Sequence, residues 1–127
     1  MAQALCAPIL IVEDNADTRD VLQRVLDISG YDAVTVPDGL DALAYLRGGG
    51  GATAIVMDIA MPRMDGFALR RALSADPRFA SIPIIAYTAN WDRPMPNVMG
   101  VYRKGADDPN RLLEMLAVAC SEPSRSH

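Results

Sequence analysis

The sequence predicts an α/β fold in which a five-stranded parallel sheet is doubly wound with helices on both faces. Short apolar runs without alternation are typical of strands that are covered on both sides. Stretches with apolar residues at helical spacing separate these runs, and such alternation implies right-handed crossovers. The 127 residues have the length of one domain, which we expect to span 1–127, with a core at about 8–120 and a tail at 121–127.

Five segments are predicted as strands. The three strongest are the continuous apolar runs Ile9–Val12, Ala54–Met57 and Ile82–Tyr87. Weaker runs at Ala33–Val36 and Val101–Arg103 supply the second and the fifth strand in chain order.

Four segments carry apolar side chains at helical spacing. Their predicted buried faces are Val21, Leu22, Val25, Leu26 and Ile28; Leu40, Leu43, Ala44 and Leu46; Phe67, Leu69, Ala72 and Leu73; and Leu112, Leu113, Met115, Leu116 and Ala119. Gly30 supplies a stop for the first helix, and Asp38 is a candidate N-cap for the second. The last helix is expected to begin with Asp108 as N-cap and Pro109 at its first position.

The composition is that of a soluble globular protein, with 50% hydrophobic and 22% charged residues. A formal charge of −4 leaves no basic patch to neutralise phosphates, which argues against nucleic-acid binding by this domain. No apolar stretch reaches the length of a membrane span, and the first residues lack the pattern of a signal peptide. Two cysteines make no disulfide framework, so we expect a cytoplasmic protein with no membrane partner.

Polar residues follow directly after four of the predicted strands. Glu13 and Asp14 end the first, Asp58 the third and Thr88 the fourth, and Lys104 comes just after the fifth. The carboxyl ends of parallel strands meet at one edge of a sheet, where ligands bind in such folds. Three carboxylates, a hydroxyl and an ammonium group are therefore expected to converge.

Three converging carboxylates repel one another in a partly desolvated cleft, and a hard cation with oxygen ligands offsets that repulsion. Mg²⁺ suits such a site because it accepts one or two carboxylates and leaves room for phosphate oxygens. One carboxylate is then able to act as a nucleophile and form an acyl phosphate. In that chemistry Lys104 would screen charge on the incoming phosphoryl group, and Thr88 would donate a hydrogen bond to it.

Three segments resemble the response-regulator receiver domain of two-component signalling. They are Ile11–Asn15, Val56–Gly66 and Pro83–Ala89, and the similarity extends from about Ile9 to Leu116. The Asp-Ile-x-Met-Pro-x-Met-Asp-Gly run at 58–66 is highly specific to that family. The resemblance implies a flavodoxin-like fold and a phosphoacceptor domain that catalyses only its own phosphorylation and dephosphorylation.

The resemblance also implies roles for individual residues. Asp58 would be the phosphoacceptor, and Glu13 and Asp14 would hold Mg²⁺ together with Asp58 and the backbone carbonyl of Ala60. Thr88 would bind the phosphoryl group, and Lys104 would pair with it. The phosphoryl donor would be a histidine kinase or a phosphotransfer protein, and phosphorylation would switch binding to a downstream protein.

The chain departs from the family pattern around the lysine. Receivers usually place a proline after it, whereas Gly105 follows Lys104 here, and Arg103 is the alternative for the lysine role. Between Thr88 and Lys104, where receivers have their fourth helix, Pro94 and Pro96 interrupt the segment. We therefore predict that the family's fourth helix is shortened or missing.

A second departure concerns the aromatic residue that moves inward in phosphorylated receivers. The expected position on the fifth strand holds Val101, and Tyr102 beside it faces the opposite side of the strand. Valine offers no ring to exchange between buried and exposed positions. The usual switch is therefore expected to be impaired, and the segment 91–99 is an alternative output surface.

Two other interpretations remain at this point. A pseudo-receiver would bind a partner constitutively, without phosphorylation. A phosphohydrolase of the haloacid-dehalogenase kind also uses a strand-end aspartate with Mg²⁺, but it needs a second aspartate two residues later, where this chain has Ala60. Taken singly, Asp58 is explained as a helix cap and Glu13–Asn15 as the start of a helix; their joint placement at one edge favours the receiver.

Overall fold

The computed structural model describes residues 7–59, 61, 64–88, 98–104 and 108–121. The strands are β1 (Ile9–Val12), β2 (Ala33–Val36), β3 (Ala54–Met57), β4 (Ile84–Thr88) and β5 (Gly100–Arg103). The helices are α1 (Ala16–Ile28), α2 (Gly39–Arg47), α3 (Gly66–Ser74) and α4 (Pro109–Ser121).

The strands form one parallel sheet in the order β2-β1-β3-β4-β5. This is the strand order of flavodoxin-like doubly wound sheets, and the predicted fold class is confirmed. The winding direction reverses between β1 and β3, which lie side by side with Val12 opposite Met57. The ends of β1 and β3 therefore form the topological switch point, the place where such sheets bind ligands.

A separate hydrophobic core lies on each face of the sheet. The α2/α3 core consists of Leu10, Val12, Ala42, Leu43, Leu46, Ile55, Met57, Leu69, Leu73, Phe79 and Ile84. The α1/α4 core consists of Ile9, Ile11, Leu22, Leu26, Ala54, Val56, Ile85, Tyr102, Leu112, Leu116 and Ala119. Successive strand residues alternate between the two cores, which explains the continuous apolar runs of the sequence.

Short polar side chains begin three of the helices as N-caps. Asn15 Oδ1 accepts a hydrogen bond from Thr18 N at 2.9 Å, and Asp38 and Asp65 cap α2 and α3 in the same way. Asp38 was predicted in this role. In α1 the cap is Asn15, so Glu13 and Asp14 lie outside the helix and are left for other contacts.

Three details differ from the sequence-based expectation. The strand β4 begins at Ile84 because Ile82 N donates to Phe79 O in the preceding turn and Pro83 has no N–H to donate. On α1, Val21 and Ile28 are 58% and 81% exposed, so the predicted apolar face of that helix is too wide.

The predicted face of α2 is wrong at two positions. Leu40 and Ala44 are exposed, whereas Ala42 is buried against the sheet together with Leu43 and Leu46.

The predicted loss of the family's fourth helix falls on residues 89–97, which lie outside the described part of the chain. Soon after these residues the chain is already hydrogen-bonded to the sheet, because Met99 N donates to Ile84 O at 2.8 Å. Among the described residues, no helix combines the length and the apolar character needed to cross a bilayer.

Candidate functional site

Three carboxylates meet where β1 and β3 end. Asp58 N donates to Val12 O at 2.9 Å, which continues the pairing of the two strands by one residue and brings Asp58 beside Glu13. Glu13 and Asp58 are buried and Asp14 is exposed. One carboxylate oxygen from each residue lies within 4.8 Å of the others. The acids that the sequence singled out therefore form a compact cluster that is accessible to solvent on the side of Asp14.

Lys104 brings a positive charge to this cluster. Its Nζ donates to Glu13 Oε1 at 2.8 Å and to Asp58 Oδ2 at 3.1 Å. The residue is placed by the sheet, since Lys104 N donates to Thr88 O at 2.9 Å and so extends the pairing of β4 with β5. The ammonium therefore bridges carboxylates that follow two different strands.

Burial and charge act in opposite directions on these groups. Burial raises the pKa of the Glu13 carboxyl, and the hydrogen bonds from Lys104 and from Asn15 N only partly oppose the rise. Burial also works to lower the pKa of Lys104, but the hydrogen bonds and charges of Glu13 and Asp58 outweigh it, and the pKa is raised. Lys104 therefore stays protonated, and its hydrogen bond opposes the rise in the pKa of Glu13.

Backbone groups orient the carboxylates. Asp58 Oδ1 accepts a hydrogen bond from Ile59 N at 2.7 Å, and Glu13 Oε2 accepts one from Asn15 N at 3.1 Å. In each case the other oxygen of the carboxylate is the one that meets Lys104. Both side chains are thus held by one local and one long-range contact.

Arg19 braces the turn between β1 and α1, a role that the sequence did not suggest. Its Nη1 donates to the backbone carbonyls of Glu13 at 2.8 Å and Asp14 at 3.2 Å. The sequence signal for this contact is weak. It consists of an arginine about one turn into the helix that follows the acidic pair.

Gly66 allows α3 to begin against the end of β3. A Cβ at this position would lie 2.8 Å from Asp58 O and 2.9 Å from Ile59 Cα, both backbone atoms that cannot yield cheaply. The same close approach lets Gly66 N donate to Ile59 O at 2.8 Å. Ile59, directly after Asp58, is therefore tied to the first turn of α3.

The remaining predicted residues have different outcomes. Thr88 is buried at the end of β4, on the same edge of the sheet as the acids. Arg103 is exposed and pairs in register with Thr88, and within the described residues the ammonium that reaches both Glu13 and Asp58 is that of Lys104. Ala60, the predicted carbonyl ligand, lies outside the described residues.

Comparison with known proteins identifies the family. The model of the response regulator receiver domain matches residues 9–109, most of the chain. The chain belongs to the response regulator receiver domain family. The resemblance that the sequence motifs indicated is thereby confirmed.

Individual relatives agree with this assignment. The response regulator MprA of Mycobacterium sp. (strain KMS) is 35% identical over 113 residues, which are 86% of this chain and 47% of that protein. An uncharacterized 14.6 kDa protein of Leptolyngbya boryana is 38% identical over 81 residues, 64% of this chain and 61% of its own length. This receiver domain thus spans less than two thirds of each of these relatives.

Solved structures of receiver domains superpose closely on this one. The signal receiver domain of a histidine kinase from Syntrophus aciditrophicus has a TM-score of 0.83 and 28% identity, with 96% of each chain covered. The receiver domain of a sensor histidine kinase from Pseudomonas aeruginosa PAO1 has a TM-score of 0.82 and 27% identity, with 92% of this chain and 99% of that chain covered. The Pseudomonas domain carries a magnesium ion in its active site cleft.

Two tyrosines of this receiver domain lie next to the site, and the sequence had assigned neither of them to it. The rings of Tyr87 on β4 and Tyr102 on β5 stack with centroids 5.1 Å apart and an interplanar angle of 3°. Tyr102 belongs to the α1/α4 core, the face opposite to that of Val101, as predicted. Lys104 Nζ lies over the Tyr87 ring, 5.0 Å from its centroid.

Proposed function

We propose that this receiver domain takes a phosphoryl group onto Asp58 with the help of Mg²⁺, as part of a two-component phosphorelay. The observation that carries the proposal is the cluster of Glu13, Asp14 and Asp58 at the switch point, with the Lys104 ammonium against two of its members. An isolated strand-end aspartate has many explanations, whereas this combination suits phosphoryl transfer.

The donor set fits a magnesium ion. Oxygen atoms of Glu13, Asp14 and Asp58 are close enough to share one cation, and the exposure of Asp14 leaves the cluster open to water and phosphate oxygens. The backbone carbonyl of Ala60 is proposed as a further ligand. When bound, Mg²⁺ would neutralise the carboxylates and the negative charge on the phosphoryl oxygens.

The chain's own residues then have distinct tasks. A carboxylate oxygen of Asp58 forms a bond to phosphorus while the bond from phosphorus to the donor's leaving atom breaks, and the leaving atom keeps the electron pair. Lys104 releases Asp58 Oδ2 and pairs with a phosphoryl oxygen, so the ammonium follows the negative charge. Thr88 donates its hydroxyl to another phosphoryl oxygen.

The partners follow from this chemistry. A histidine kinase or a phosphotransfer protein serves as phosphoryl donor, and a downstream protein reads the phosphorylated state. The domain performs only its own phosphorylation and dephosphorylation, in the cytoplasm, and binds neither nucleic acid nor membrane.

The decisive experiment incubates the protein with acetyl phosphate and Mg²⁺ and measures its intact mass. One phosphoryl adduct is expected on the wild type, none on Asp58→Asn, and none when EDTA replaces Mg²⁺. Asp65→Asn is the matched control, because asparagine caps a helix as well as aspartate does and α3 keeps its N-cap. An adduct that persists in Asp58→Asn contradicts the assignment of the phosphoacceptor.

One observation favours a second candidate, a pseudo-receiver that binds its partner constitutively. Val101 occupies the strand position expected for the switching aromatic, and the tyrosine beside it is buried in the α1/α4 core. The absence of any adduct on the wild type, with the fold intact, would support this candidate. Steady release of phosphate from varied monoesters would instead indicate a phosphohydrolase.

A further inference from the structure

The Lys104 ammonium is enclosed on three sides. Two sides are the carboxylates of Glu13 and Asp58, and the third is the face of the Tyr87 ring. A cation within about 6 Å of an aromatic centroid is attracted by the negative charge density of the ring face. The 5.0 Å separation places Lys104 inside that range.

The Tyr87 ring is itself held in place. Tyr87 and Tyr102 are register partners on adjacent parallel strands, so their side chains project from the same face of the sheet. Their rings are almost parallel, and Tyr102 is only 5% exposed, so it offers a fixed platform. Leu22 and Leu112, both buried, line the same hollow as the two rings.

A lysine side chain at this position is confined to one conformation only if its neighbours restrict it. Its side chain has several rotatable bonds and loses much rotamer freedom when its ammonium is confined to one place. The residue that follows is Gly105, so no proline ring restricts the backbone after the lysine. The side chain is therefore held chiefly by what it touches.

We infer that Tyr87 is a positioning residue for phosphoryl transfer: its ring face, backed by Tyr102, holds the Lys104 ammonium where it meets Glu13 and Asp58. Tyr87 acts through Lys104 and has no contact with phosphorus in this scheme. The inference rests on the proposed phosphorylation of Asp58 and adds to it an aromatic side chain on the face of β4 opposite to Thr88.

The test compares initial rates of phosphorylation by acetyl phosphate with Mg²⁺ present. Tyr87→Leu removes the ring face and is expected to slow the reaction about two- to fivefold, the range that an exposed cation–π contact corresponds to. Tyr87→Phe keeps the ring and is expected to restore the wild-type rate. Tyr31→Leu controls for loss of packing. Tyr31 packs against the same α1/α4 core but directly precedes β2, the strand at the opposite edge of the sheet from β5.

A double-mutant cycle separates positioning from general packing. If Tyr87 acts through Lys104, then Tyr87→Leu produces no further slowing in a Lys104→Met background. Equal fold-changes in the two backgrounds would overturn the inference. Absence of a phosphoryl adduct on the wild type would contradict the proposed function itself. If the wild type is phosphorylated and Tyr87→Leu reacts at the same rate, only the role of Tyr87 is contradicted.

An NMR measurement on the wild type remains decisive where a variant folds poorly or reacts too slowly. The side-chain methylene protons next to Nζ of Lys104 are expected to resonate upfield of their unfolded-chain value, because the ammonium beside them lies over the Tyr87 ring. Resonances at unfolded-chain values in the native protein would overturn the inference.

Discussion

Lys104 shows how one side chain determines the electrostatics of the site. Its ammonium meets Glu13 Oε1 and Asp58 Oδ2, and without a metal it is the positive charge that the described residues place between these two acids. Under the proposed function, Mg²⁺ would compete with the ammonium for the same oxygens. The lysine would then stabilise the metal-free fold and lower the affinity for the cation.

Replacement of Lys104 by methionine tests this balance. Lys104→Met is expected to lower the metal-free free energy of unfolding by about 1–3 kcal/mol, because two buried carboxylates lose their partner. The cost stays below that of a fully buried pair because the lysine is 23% exposed. Saturating Mg²⁺ is expected to raise the Tm of the variant more than that of the wild type, measured by thermal denaturation with and without EDTA.

Arg103→Met is the matched control, since this neighbouring cation is exposed on β5. It is expected to leave the response to Mg²⁺ unchanged. If Arg103→Met rather than Lys104→Met enlarged the Mg²⁺ response, Arg103 would be the cation that matters at the site.

At the scale of elements, the turn between α3 and β4 places a core residue and sets where the strand begins. The Asp76 carboxylate accepts hydrogen bonds from Arg78 N at 3.0 Å and Arg78 Nη2 at 2.9 Å. The Arg78 guanidinium lies over the ring of Phe79, which packs into the α2/α3 core, and Phe79 O accepts from Ile82 N just before β4. A polar clamp on the surface thus determines how a buried ring and a strand are positioned.

This clamp predicts a dependence of stability on acid. The hydrogen bonds from Arg78 hold the pKa of Asp76 below its ordinary value of 3.8. A depressed pKa means that the ionised carboxylate stabilises the fold above that ordinary value, and that the contribution is lost as the pH falls through the lower folded-state pKa. The difference in urea midpoint between wild type and Asp76→Asn is therefore expected to be full at pH 5 and to shrink towards pH 2.

Arg78→Gln removes the guanidinium that binds Asp76. Its urea midpoint is expected to fall less than that of the wild type between pH 5 and pH 2, as for Asp76→Asn. A difference between wild type and Asp76→Asn that stays constant from pH 5 to pH 2 would contradict the role of the ionised carboxylate.

At the scale of the whole molecule, the two hydrophobic cores are joined by the strands they share. Residues of β1 and β3 alternate between the α2/α3 core and the α1/α4 core, so a disturbance on one face reaches the other through the same backbone. The candidate functional site lies at the end of these two strands, so its geometry depends on their pairing.

This arrangement predicts that the described fold unfolds as one cooperative unit. Leu26→Ala in the α1/α4 core and Leu69→Ala in the α2/α3 core are each expected to cost about 2–5 kcal/mol, because each removes a side chain that is fully buried. Both variants should show a single transition that coincides by far-UV and near-UV circular dichroism. Val21→Ala, at an exposed position of α1, should change stability by less than about 0.5 kcal/mol.

Separate transitions for the two faces would show that the cores fold independently. The same result would also weaken the proposed site, because Glu13 and Asp58 are held together only while β1 and β3 stay paired.

Much of the fold was predictable because the relevant signals are local. The bounds of β1, β2 and β3 coincide with their apolar runs, and the Asp38 cap and the start of α4 at Pro109 follow from residues next to them. The prediction for α1 was less accurate. Its periodicity marks an apolar stripe, but only the sheet and the neighbouring helix decide how much of that stripe is covered, and Ile28 remains exposed.

The sequence by itself determined the α/β class, the receiver motifs and the convergence of Glu13, Asp14 and Asp58, because parallel strands deliver their final residues to one shared edge. Only the tertiary structure decided that Lys104 contacts two acids located 91 and 46 positions away, and that an aromatic ring lies beneath its ammonium. Such contacts depend on the register between strands and on side-chain rotamers, which neither spacing nor composition encodes.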